Sequence, residues 1–107
     1  MASYYKNAKV DLTTTDVTTL YTTPAATTAV FNSILVADDS GSTSTITVTL
    51  TDSASAVFVI FNVKATSANT TVELLTRPLV VQESEVLKVT AANANRLHVI
   101  GSYLETT

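Results

Sequence analysis

The sequence predicts an all-β protein, an antiparallel two-sheet β-sandwich that is jelly-roll-like in its strand count. Three observations predict it. Apolar and polar residues alternate at a period of two through most of the chain. Of the 107 residues, 14 are Val, 4 are Ile and 21 are Thr, side chains whose branched Cβ favours a pleated surface. No apolar stretch at helical spacing is long enough to make a useful helix. Roughly nine short strands separated by turn signals suit two packed sheets, and a jelly roll is the natural way to arrange that number.

The strands are expected at about 7–13, 17–22, 28–37, 44–52, 56–64, 70–76, 79–81, 85–91 and 96–104. Thr23-Pro24-Ala25 ends the second, because proline cannot donate to a ladder. Asp38-Asp39-Ser40-Gly41-Ser42 is a polar turn after the third. In the fourth, Ile46, Val48 and Leu50 alternate with Thr45, Thr47, Thr49 and Thr51, the pattern of a half-buried strand. Asp52-Ser53-Ala54-Ser55 is short enough to close a hairpin onto the fifth. That fifth strand, Val57 to Val63, is almost continuously apolar, which leads us to expect cover on both faces. Gln82-Glu83-Ser84-Glu85 and Ala92-Asn93-Ala94-Asn95 bracket the eighth with side chains able to mimic backbone turns. In the last, Leu97, Val99 and Gly101 alternate with His98, Ile100 and Ser102. The expected core is Phe31, Leu35, Ile46, Val48, Leu50, Phe58, Ile60, Leu74, Leu87, Val89, Leu97 and Val99. Residues 1–107 make a single domain, with residues 1–10 a possible N-terminal arm. Within that stretch Tyr4 and Tyr5 are adjacent aromatics that point to opposite sides of a strand, so one domain would struggle to bury both. They are the candidate interface residues; the alternative is that this stretch completes a sheet in its own chain.

Composition narrows function. Charged residues make up only 14% and net charge is −3, with four Lys and two Arg, which argues against a nucleic-acid partner. Absence of Cys excludes disulfides, thiolate metal sites and Cys nucleophiles. The longest strongly apolar run, 56–61, is far short of a membrane-spanning helix, and no secretory h-region is visible at the start. His98 is the single histidine, and a triad with Ser102 and an Asp lacks any nucleophile-elbow motif. Asp38, Asp39 and Ser40 carry oxygen ligands but not EF-hand spacing. Glu83 and Glu85 are paired carboxylates with no aromatic platform for a sugar. Asn69-Thr70-Thr71 matches a glycosylation sequon and reads as a strand entry. The Thr45–Thr51 row could serve an ice-binding face, but such faces repeat the row on many stacked strands and no internal repeat is present. No catalytic residue, cofactor or metal is expected, and the protein is read as a non-enzyme.

Leu20-Tyr-Thr-Thr-Pro-Ala25, Ala29-Val-Phe-Asn-Ser-Ile-Leu-Val-Ala37, Asp39-Ser-Gly41 and Ile46-Thr-Val-Thr-Leu50 follow one another in the first half of the chain. Glu73-Leu-Leu-Thr-Arg-Pro-Leu-Val80, Glu85-Val-Leu-Lys-Val89, Ala92-Asn-Ala-Asn95 and Ser102-Tyr-Leu-Glu105 follow in the second. This order of segments, over about residues 17–105, resembles a small type of virion protein from tailed bacteriophages, notably those of marine cyanobacteria. Such proteins often have a glycine after the Pro-Ala turn; here Ala26 and Thr27 stand there. The resemblance implies a structural, non-enzymatic role located in the virion and identifies no functional residue. Low surface charge and Thr-rich strand edges independently suit an assembling protein. The expected function is a capsid decoration or cement protein, a homotrimer or other closed ring that binds the major capsid protein. Alternatives are a neck, tail or baseplate component, or a carbohydrate-binding module for host adhesion.

Overall fold

A computed structural model describes residues 2–107. Nine strands form: β1 (Ser3–Leu12), β2 (Thr18–Thr22), β3 (Thr28–Asp38), β4 (Ser44–Thr51), β5 (Val57–Thr66), β6 (Thr71–Glu73), β7 (Leu79–Val81), β8 (Val86–Ala91) and β9 (Leu97–Thr106). No helix is present among the described residues. One sheet runs β1-β9-β3-β6, with β7 also on β3; the other runs β2-β8-β4-β5. Every pairing is antiparallel. Because β6 and β7 occupy two stretches along the same side of β3, they act as one broken strand. Counted that way, eight strands divide four and four between the two sheets in jelly-roll order, with the β4–β5 hairpin as the one consecutive pair that stays within a sheet.

The core lies between the sheets, and period two explains most of its membership. Ile46 and Val48 from β4, Leu87, Val89 and Ala91 from β8, and Leu97 and Val99 from β9 point inward and are buried. Where the phase shifts, a bulge is the cause. The β3–β9 register slips between Phe31 and Ser33, leaving Asn32 as the extra residue. Phe31 is inward before the slip, and Ile34 and Val36 are inward after it. Leu35, expected in the core, therefore turns to the outer face. A second slip between Thr19 and Tyr21 lets the consecutive residues Leu20 and Tyr21 both enter the core.

Three further core expectations need correction. Leu50 and Ile60 pack against the core but are only partly buried. Phe58 is 54% exposed. Its strand, β5, is not covered on both faces: it is the last strand of its sheet, and Val57, Phe58 and Val59, which point to alternate faces, are all more than half exposed. The residues expected as an arm also lie elsewhere. Residues 3–12 are β1, paired without interruption to β9 of the same chain from Ser3↔Thr106 to Leu12↔Leu97. Residue 1 of the expected arm falls outside the described residues.

The turn at Pro24-Ala25 forms without the glycine common in the proteins this chain resembles. Ala26 takes up φ 55° itself, and the Glu83 carboxylate accepts a hydrogen bond from its N–H at 2.8 Å. Gly101, in contrast, is required by packing. A Cβ there would sit 2.6 Å from Cε2 of Phe31. That ring is held between Tyr21, edge-on at 5.2 Å between centroids, and Tyr103, stacked at 4.7 Å.

Candidate functional site: two sheet edges and a buried carboxylate

Of the residues singled out for chemistry, His98 and Asp39 approach each other, but His98 and Ser102 do not. His98 and Ser102 share the outer face of β9 but stand four residues apart, about 13 Å along a strand. His98 instead lies between two carboxylates, its Nε2 3.2 Å from Asp11 and its Nδ1 3.9 Å from Asp39. Asp38 is buried and spends one oxygen on Ser40, accepting from its N–H at 3.0 Å and its hydroxyl at 2.8 Å, an Asx turn that ends β3. No group of three or more metal-ligating side chains occurs among the described residues. Glu85 accepts from the N–H of Gln82 at 2.7 Å, so Glu83 and Glu85 each secure a turn. Asn69 is exposed with φ 55°, a turn residue at the entry to β6. The row of Thr45, Thr47, Thr49 and Thr51 lies on the outer face of β4 and is half-buried. Thr47 accepts a hydrogen bond from Val63 N–H at 3.1 Å, and the neighbouring β5 slips register twice, so the face is not flat.

A charged cluster around a buried carboxylate was not expected. Continuing the β9 alternation inward past Gly101 reaches Tyr103 and then Glu105, both buried. Glu105 accepts from Lys6 Nζ at 2.8 Å and from the Tyr21 hydroxyl at 2.5 Å. Lys6 enters from β1, and its ammonium also sits 5.8 Å from the centre of the Tyr4 ring. The Lys6 and Tyr21 hydrogen bonds hold the Glu105 carboxyl below its ordinary range. The bond to Glu105 raises the Lys6 ammonium. Burial first, and then the same carboxylate, pushes the Tyr21 hydroxyl up; Tyr103 is raised by burial too. The Lys6 and Tyr21 hydrogen bonds to Glu105 tie β1, β2 and β9 together.

No protein-family model matches the chain, and no curated protein matches it in sequence.

The chemistry that stands exposed is apolar and lies at strand edges. On β5, Val57, Val59 and Val63 are each more than half exposed, and Phe58 adds an aromatic ring. Val63 holds φ 50°, rare for a β-branched residue, at the second slip of β5. At the opposite end of the other sheet lies β1, where Tyr4 is 54% and Tyr5 84% exposed. Tyr5 also starts a row across the outer face: register places Tyr5, Leu104, Val30 and Val80 side by side on β1, β9, β3 and β7. Next to that row is a depression of about 320 Å³ lined by Tyr5, Lys6, Asn7, Asn32, Ser102 and Tyr103. The second depression, about 290 Å³, runs along Lys9, Val10, Asp11, His98, Val99 and Ile100.

Proposed function

We propose that the protein is a non-enzymatic structural component of a virus particle, a capsid decoration or cement protein that stabilises the head shell of a tailed bacteriophage. The observation that carries an assembly role is the apolar edge at β5. A monomer gains nothing by leaving Val57, Phe58, Val59 and Val63 in water on the last strand of a sheet. Contact with a larger surface removes that area from water without needing salt bridges, which suits a chain with few charges. The likeness in segment order to phage virion proteins supplies the particle. The jelly roll is itself used by viral and by lectin domains, so it does not choose between them.

Quantifying this chain against the major capsid protein in purified virions tests the reading. Hundreds of copies per particle support decoration. A small symmetric number moves it to neck, tail or baseplate, and none overturns a virion role. A second reading, glycan binding in host adhesion, draws on the exposed Tyr5 ring beside the Asn7, Asn32 and Ser102 polar groups. Saturable binding to a glycan array, lost in Tyr5→Ala, would favour it.

A further inference from the structure

The free edge of β1 has a defined chemistry. Ala2 and Thr107 exchange both backbone hydrogen bonds, at 3.3 and 2.9 Å. In an antiparallel ladder the bonded pairs alternate, so this pair fixes the phase of all of β1. Even-numbered residues turn their N–H and C=O toward β9. Ser3, Tyr5, Asn7, Lys9 and Asp11 turn theirs outward, along an edge that no strand covers among the described residues. The β1–β9 register has no slip along its length. Of these outward carbonyls, that of Asp11 also accepts locally from Thr13 N–H at 2.9 Å.

A second copy of β1 meets that edge under strict conditions. Two identical strands related by a two-fold axis normal to the sheet run antiparallel, and paired residues must point to the same face. The numbers of paired residues must therefore add to an even total. A total of 12 puts Lys6 against itself and 18 puts Lys9 against itself, both unfavourable. A total of 16 leaves Ser3 without a partner. A total of 14 is the longest match: Asn7 meets the partner's Asn7 on the axis, Tyr5 meets the partner's Lys9, and Ser3 meets the partner's Asp11. Every outward-facing N–H and C=O of β1 then finds a complement. On the inner face Tyr4 lies beside the partner's Val10, while Tyr5 on the outer face covers the partner's Lys9 stem and ammonium. The two adjacent tyrosines, which point opposite ways, are each covered.

We infer that two copies of this chain join edge to edge through β1, antiparallel about a two-fold axis at Asn7, making one continuous sheet across the pair. This deepens the assembly reading by naming the partner of one edge. It stands on the isolated protein, whereas the virion role stands on particle composition, so either can fail alone.

The chain has no native Cys, so Asn7→Cys is a clean reporter. Residues in a hydrogen-bonded antiparallel pair have Cα atoms about 5.5 Å apart, within reach of a disulfide. Mild oxidation should convert most of Asn7→Cys to a covalent dimer, and leave Thr15→Cys, in the exposed 13–17 loop, largely monomeric. Sedimentation velocity should find wild type dimeric. Asn7→Pro removes an outward N–H and spares the β9 ladder, so it should weaken the dimer at least about tenfold with an unchanged circular dichroism spectrum. If that variant fails to fold, Asn7→Lys sets like charges across the axis and should weaken the dimer similarly. Wild type sedimenting as a monomer, a dimer indifferent to the Asn7 substitutions, or equal cross-linking of both cysteine variants would overturn the inference.

Discussion

β1 and β5 each end a sheet of the same sandwich, and each is ten residues long, yet they manage their free edges in opposite ways. β1 is regular, carries Lys6 and Lys9, and locks one of them inward onto Glu105. β5 is apolar, holds a single charge at Lys64, and slips register twice along β4. Sheet edges invite addition of another strand, and bulges and charges are the two usual ways to discourage it. β5 relies on bulges, which twist its backbone away from a partner strand but leave its valines presented as a surface. β1 relies on charge, which leaves its backbone straight and restricts which register a partner can adopt. One edge is thus suited to side-chain contact with a broad surface and the other to backbone pairing in one register.

The sharpest way to break this contrast is to remove a ladder bond from the regular edge. Ala8→Pro deletes an N–H that faces β9, so it should cost at least about 2 kcal/mol of unfolding free energy. Asn7→Pro, one residue away, should cost much less. Equal losses in chemical denaturation would show that the phase assigned to β1 is wrong. Gly101→Ala drives a Cβ into the Phe31 ring beneath the same edge and should cost about 1–3 kcal/mol, read in the same experiment.

Glu105→Gln should lower stability at neutral pH, because the buried Tyr21 hydroxyl and the half-exposed Lys6 ammonium both lose their carboxylate. The sign with pH follows from the lowered pKa of Glu105 in the folded chain. Its contribution is full above the ordinary carboxylate pKa and is lost as pH falls through the folded value. Wild type and Glu105→Gln should therefore converge in acid, and parallel pH profiles would contradict the role given to the cluster.

On β5 the expected effects are smaller. Val63→Asn exchanges a β-branched residue at φ 50° for one that tolerates the left-handed region, and should raise stability by up to about 1 kcal/mol. Val57→Thr with Val59→Thr should shift stability by no more than about 0.5 kcal/mol while reducing loading onto particles. Loading that is unaffected would remove β5 from the contact surface.

Much of the fold was legible because an inward-outward alternation is hard to mistake in β4, β8 and β9. β5 misled because an unbroken apolar run signals burial in something, and a single chain's sequence does not say whether that is its own second layer. Leu35 was misplaced because the bulge at Asn32 carries no Gly or Pro to announce it. β1 was expected to begin at residue 7 because its first half, exposed on both sides, has no apolar alternation to read. Glu105 was legible in principle: the phase set by Leu97, Val99 and Gly101, continued for four residues, places a carboxylate in the interior.

The pairing of β1 with β9 joins the first strand to the last, and it has a kinetic side. That closure gathers nearly the whole chain into one loop before any of its ladder bonds form, so its entropy cost falls early and its reward late. A circular permutant that joins residue 107 to residue 2 by a short linker and opens the chain at Ser53-Ala54 would turn the most distant pairing into a local hairpin. Its native contacts would be almost the same, and it should refold faster than the parent while the β4–β5 hairpin inherits the long closure.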